Sequence, residues 1–214
     1  MRGAVWALLG LALGLRAVPR ARRRIASLRM SGTVFGHGNS AASPIAVPLL
    51  GAACAATAWR FADLHGGDLA MAARAVLVSA AAIITLVDID THVIPRGSVT
   101  WAAVLSFPLL GMSAVVDEGS VVGIAAGALA MWALLWVLAV VSRGDLGGGD
   151  VSLGFLLGGH LGLLDLWDVP RALFAAFVLG GVWAIGLLVT GRGRRTRFAF
   201  GPFLIVGALA VLLR

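Results

Sequence analysis

The chain has 214 residues, 60% of them hydrophobic and only 13% charged, with a mean hydropathy of +0.98. That balance excludes a water-soluble domain, because too little polar surface is available to cover it. The net charge of +7 comes entirely from an excess of arginine, since there is no lysine, and the arginines cluster between apolar runs, which favours orientation in a bilayer over binding to nucleic acid. In chain order, the apolar segments near the roughly 20 residues that a spanning helix needs are 42–59, 69–87, 99–116, 121–141, 151–167 and 172–190, with two shorter runs, 3–15 and 198–213, at the ends.

The run 3–15 is expected to be a short spanning helix and not a secretory signal, because its basic residues (Arg16, Arg20, Arg22, Arg23, Arg24, Arg29) follow the apolar run instead of preceding it. Residues 16–41, basic at first and then rich in Gly and Ser, are expected to form a flexible connector. The single cysteine, Cys54, lies in an apolar stretch and is read as a packing residue, since one thiol builds neither an intrachain disulfide nor a zinc site. The predicted fold is therefore all-α, one polytopic membrane domain over 1–214 with about eight transmembrane helices.

Alternating eight spans place the connector and the segments around 88–98, 142–150 and 191–198 on one side. That side holds the six arginines already named plus Arg96, Arg143, Arg192, Arg194, Arg195 and Arg197. Short arginine-rich loops stay in the cytoplasm during insertion, so this face is expected to be cytoplasmic and the protein to lie in the cell membrane. Six acids (Asp63, Asp68, Asp117, Glu118, Asp165, Asp168) then fall outside, and Asp88, Asp90, Asp145 and Asp150 fall inside. The inner four occupy two loops on one face, so they can meet in space.

The first loop reads Asp88-Ile89-Asp90-Thr91-His92-Val93-Ile94-Pro95-Arg96, with Asp88 closing one helix and Pro95 suited to starting the next segment. The second reads Asp145-Leu146-Gly147-Gly148-Gly149-Asp150 and feeds directly into an apolar run, which makes Asp150 a natural N-cap. Glycines before a carboxylate permit close backbone approaches and unusual conformations. Gly154, Gly158 and Gly162 follow Asp150 at four-residue steps and offer a face for tight helix packing, which should turn Asp150 into the bundle. Two carboxylates held together share a proton, so one can activate water while the other polarises a peptide carbonyl. A helix N-terminus favours the anion at Asp150 and a helix C-terminus disfavours it at Asp88. Acids at the membrane edge also serve ion and proton pathways, so the residues alone leave that alternative open.

The pattern Asp88, six residues, Pro95, followed by Gly147-Gly148-Gly149-Asp150-Val151, resembles the two active-site motifs of the prepilin peptidases, members of the GxGD aspartyl proteases. Phe200-Gly201-Pro202-Phe203-Leu204 is similar to a third segment common in that family, so the resemblance spans about residues 69–213. It implies that Asp88 and Asp150 are the catalytic pair, that Gly147, Gly149 and Pro95 shape the site, and that no cofactor or metal is needed. The implied partners are a prepilin or pseudopilin precursor and the lipid bilayer, with no nucleic acid. Asp90 and Asp145 match no active-site position and are read as loop residues, and His92 stands out only by lying between Asp88 and Pro95. Ser152 and Arg96 depart from the family, which often has Lys at the first position and Asn or Asp at the second. Larger members carry a cysteine-bearing segment and are associated with methylating the product, so cleavage without methylation is expected here. A small secondary transporter and a noncatalytic component of a secretion machine are the alternatives from other classes; inverted repeats and broken helices, marks of the first, are not evident.

Overall fold

The computed structural model describes residues 2–32, 40–42, 46–64, 67–117, 119–143, 146–190 and 199–214. Eight α-helices make up the described chain: α1 (Arg2–Met30), α2 (Ala46–Leu64), α3 (Asp68–Thr91), α4 (Arg96–Val116), α5 (Val121–Val141), α6 (Gly148–Gly162), α7 (Asp168–Val189) and α8 (Gly201–Leu212), with a short 3-10 turn at Ser40–Ala42. There is no strand among the described residues. Five helices (α1, α3, α4, α5, α7) are long and apolar enough to cross a bilayer. At 1.5 Å per residue α6 and α8 reach only about 22 and 18 Å, short of the roughly 30 Å hydrocarbon core. The protein is a polytopic all-α membrane protein. Leu134, Trp136, Val140, Phe174, Val182 and Trp183 stay exposed on α5 and α7, a surface that water penalises and lipid does not.

The central element is α3, the most buried of the five spanning helices. Tight packing elsewhere comes from missing side chains. A Cβ on Gly158 or Gly162 of α6 would run into a backbone carbonyl of Gly127 or Gly123 on α5, and the reverse holds as well, so the two backbones approach as closely as helices can. The glycine face expected on α6 is therefore the face on which α5 lands, with Gly154 pressed against Leu135. Between α1 and α2 a Cβ on Gly10 would come within 2.5 Å of the Cys54 carbonyl oxygen, and Cys54 itself is buried in that contact as a packing residue.

The connector expected at 16–41 differs from what forms. The helix of α1 continues through the arginines to Met30 and ends at Gly32, whose φ of +69° suits a residue without a Cβ. Arginine and alanine are strong helix formers, and the basic half also has an apolar stripe. Val18, Ala21 and Ile25 recur at helical spacing and pack on Leu86 and Val87 of α3. Residues 33–39 lie outside the described chain.

Asp90 is likewise no loose loop residue. It sits in the last turn of α3, only 1% exposed, and accepts from the backbone N–H groups of Ser40 (2.7 Å) and Ala41 (3.0 Å). Asp90 thus ties the 3-10 turn to α3. Asp90→Asn removes one of two acceptor oxygens and the charge behind both bonds, so it should cost about 1.5–3 kcal/mol. The expected result is a lower unfolding midpoint in detergent with activity retained below it; an unchanged midpoint would show that the tether carries no stability.

Candidate active site

The candidate residues converge where α3 ends and where α4, α6 and α8 begin. Asp88 lies one turn before the end of α3, and His92 closes that helix in the left-handed region (φ 53°) with its N–H donating to the Asp88 carbonyl. Pro95 is the N-cap residue of α4, its fixed φ suiting an extended entry, and its carbonyl accepts from Ser98 at 2.9 Å. Between them Ile94 turns inward and is buried. A Cβ on Gly149 would come within 2.7 Å of Ile94 Cβ, and one on Gly201 within 2.9 Å of Ile94 Cδ1. Ile94 is the wedge around which the starts of α6 and α8 close.

The helix α6 begins earlier than expected. Gly147 is its N-cap residue, so Asp150 occupies the third helical position and is not the cap. From there its Oδ2 reaches back to accept the Gly147 N–H at 3.1 Å, one half of the reciprocal arrangement that closes many helix starts. Gly147 has a φ of −76°, and the only described glycine with positive φ is Gly32. Of the two reasons for a glycine run, close approach is the one at work here: Gly149 against Ile94, and Gly148 against the Arg96 guanidinium, which a Cβ would meet at 2.8 Å.

Asp88 finds its partner far along the chain. Its Oδ2 accepts the N–H of Gly201, the first residue of α8, at 3.0 Å. The start of α8 therefore offers Asp88 the positive end of a second helix, which offsets the unfavourable C-terminus of its own. Each carboxylate thus accepts a backbone N–H from another residue through Oδ2. Asp88 is 4% and Asp150 9% exposed. Both lie beside Ile94, which packs against Gly149, next to Asp150, and against Gly201, the partner of Asp88.

The other acids are engaged differently. Asp168 pairs with Arg171 and Arg214, Asp165 with Arg171 at 3.5 Å, and Asp117 accepts from Ser113 Oγ at 2.9 Å. Neither Asp88 nor Asp150 has an arginine partner among the described residues. Asp145, Glu118 and the arginines of 191–198 lie outside the described chain. His160 is buried with its Nε2 3.2 Å from Ser106 Oγ, ten residues along α6 from Asp150, and the buried Nδ1 of His92 has no hydrogen-bond partner among the described residues. No group of three or more His, Cys, Asp or Glu among the described residues is arranged to hold a metal ion.

Residues 75–185, which carry both aspartates, match the Type IV leader peptidase family. The chain belongs to that family. Its curated relatives include a prepilin leader peptidase/N-methyltransferase of Burkholderia pseudomallei (strain 1026b), 34% identical over 180 residues, or 77% of this chain and 53% of the relative. A type 4 prepilin-like proteins leader peptide-processing enzyme of Escherichia coli O78:H11 is 30% identical over 146 residues, covering 65% and 51%. A prepilin leader peptidase/N-methyltransferase of Bacillus subtilis (strain 168) is 27% identical over 184 residues, covering 83% and 68%. The chain spans about half the length of the first two of these relatives. No solved structure matches it.

Of the residues that hold the two aspartates, the sequence pointed to Gly147, whose N–H bonds Asp150, but not to the bond that holds Asp88. Gly201 entered only through a resemblance, and Ile94 not at all, although a large apolar residue in a short polar loop was a usable signal. A methyl group at Gly201 would come within 2.7 Å of Asp88 Oδ2. Gly201→Ala should therefore displace that carboxylate while leaving the N–H in place. A shift of that kind costs on the order of 100-fold in rate, to be read as initial cleavage rate at normal accumulation; wild-type rates would show that Gly201 does not position Asp88.

Proposed function

We propose that this chain is a membrane aspartyl endopeptidase that removes the leader from type IV prepilin-like, pseudopilin or Flp-type precursors. The observation that carries the reading is the buried pair itself: two carboxylates from separate helices, with no arginine partner among the described residues, each with one oxygen bonded to a backbone N–H.

Such a pair holds one proton between two acids, because a second negative charge in a poorly solvated site is costly. The ionised member takes a proton from a water molecule as its oxygen attacks the scissile carbonyl carbon. The protonated member donates to the carbonyl oxygen. Collapse of the tetrahedral intermediate breaks the C–N bond and delivers a proton to the leaving amine, with no covalent enzyme intermediate. The arginine bias of the connecting segments supports placing this end of the bundle at the cytoplasmic face, where a leader preceding an apolar helix would lie.

Co-expression with a candidate prepilin, followed by N-terminal analysis and mass spectrometry of the product, tests the proposal. A new N-terminus at the leader junction is expected. A precursor left intact across prepilin, pseudopilin and Flp-type candidates, with the enzyme accumulating, would remove it.

A further inference from the structure

The basic half of α1 carries Arg20, Arg23, Arg24 and Ser27 at helical spacing, so the four lie on one face beside the stripe packed on α3. They line a cleft of about 390 Å³ together with Ile83 of α3 and Ser98 in the first turn of α4. The Arg24 guanidinium reaches α4, where a Cβ on Gly97 would meet its Nη2 at 3.1 Å. Three like charges around one hollow repel one another, and among the described residues no acid pairs with them. Arg22 points elsewhere, its Nε donating to the Ala41 carbonyl, but no hydrogen bond or ion pair engages the guanidinium groups of Arg20, Arg23 or Arg24 among the described residues. The nearby carboxylate of Asp90 is spent on Ser40 and Ala41.

The geometry points to a binding site for the headgroup phosphate of an anionic phospholipid, in the leaflet bordering the Asp88–Asp150 end of the bundle. Guanidinium forks match the paired oxygens of a phosphate, which an ammonium does not. Depth favours a lipid over a soluble anion. The cleft opens where the apolar run 3–15 of α1 gives way to arginine and where α4 enters its span, which is the level of headgroups. Ile83 forms an apolar wall suited to the glycerol backbone and first acyl carbons. The site is independent of the peptidase reading, and its test needs no substrate.

The test uses the purified full chain in mixed micelles of phosphatidylglycerol and phosphatidylcholine, with native mass spectrometry counting the lipid retained. Wild type should retain one phosphatidylglycerol in preference to phosphatidylcholine. Each arginine removed should weaken retention about fivefold, so the triple Arg20→Gln, Arg23→Gln, Arg24→Gln variant should lose it. The triple Arg192→Gln, Arg194→Gln, Arg195→Gln variant has the same net charge and should keep it. Ser98→Trp fills the cleft without changing charge and should also lose the lipid, which decides the matter if the first variant does not accumulate. Three results would overturn the site: no preference for phosphatidylglycerol, equal loss in both triple variants, or displacement by equimolar inorganic phosphate.

Discussion

Asp88→Asn and Asp150→Asn should each abolish leader cleavage while the protein still inserts and accumulates. Asparagine keeps the size of the side chain and one acceptor oxygen, so the bonds from Gly201 and Gly147 have a partner in either variant. What it cannot do is take a proton from water or give one to a carbonyl oxygen, work worth about 10²- to 10⁴-fold in rate. Because the two acids act as one unit, the double variant should be hardly slower than either single one. A purely structural Asp150 would give the opposite result, since Asn closes a helix start nearly as well as Asp. Wild-type-like cleavage by either single variant would dismantle the pair.

The second large effect is on stability and lies at the α5–α6 contact. In Gly158→Ala the new methyl group points at the Gly127 carbonyl and within 2.8 Å of Met131 Cβ, so the helices must part along the line that also holds Gly123 and Gly162. Overpacking of this kind costs about 1–3 kcal/mol, and more where backbone blocks the way. Gly181→Ala is the internal control, because nothing lies within 4 Å of a Cβ at that position of α7. There alanine should be neutral or stabilising by up to about 1 kcal/mol, the ordinary gain over glycine in a helix. Unfolding midpoints in the same detergent compare the two directly. Equal effects would mean that the close approach of α5 and α6 is not what holds them.

Much of this architecture was legible in advance, for physical reasons that differ from element to element. The apolar runs gave the helices because the bilayer demands continuous hydrophobic length. The spacing of Gly154, Gly158 and Gly162 gave a packing face because a four-residue step nearly closes a helical turn. The positions of the arginines alone led to Asp88 and Asp150 being expected together, and the helix ends that carry them do meet around Ile94. Other features had no local signature. The basic half of α1 looks like a loop by charge, yet its apolar stripe of Val18, Ala21 and Ile25 meets α3. The start of α6 was placed late because three glycines suggest a turn, whereas two of them form its first turn so that Ile94 and Arg96 can lie against them. The bond from Gly201 to Asp88 joins residues 113 positions apart, and no periodicity in either segment announces it.

That bond sets an order on biosynthesis. A nascent chain stopped anywhere before residue 201 already contains both aspartates and both of their motifs, but the N–H that holds Asp88 is still unmade. On the peptidase reading proposed above, the site should stay incomplete while only the first seven helices are inserted, and the start of the eighth should complete it beside Ile94. A protease built in this way would not cut newly inserted neighbours, or itself, before its own insertion is finished.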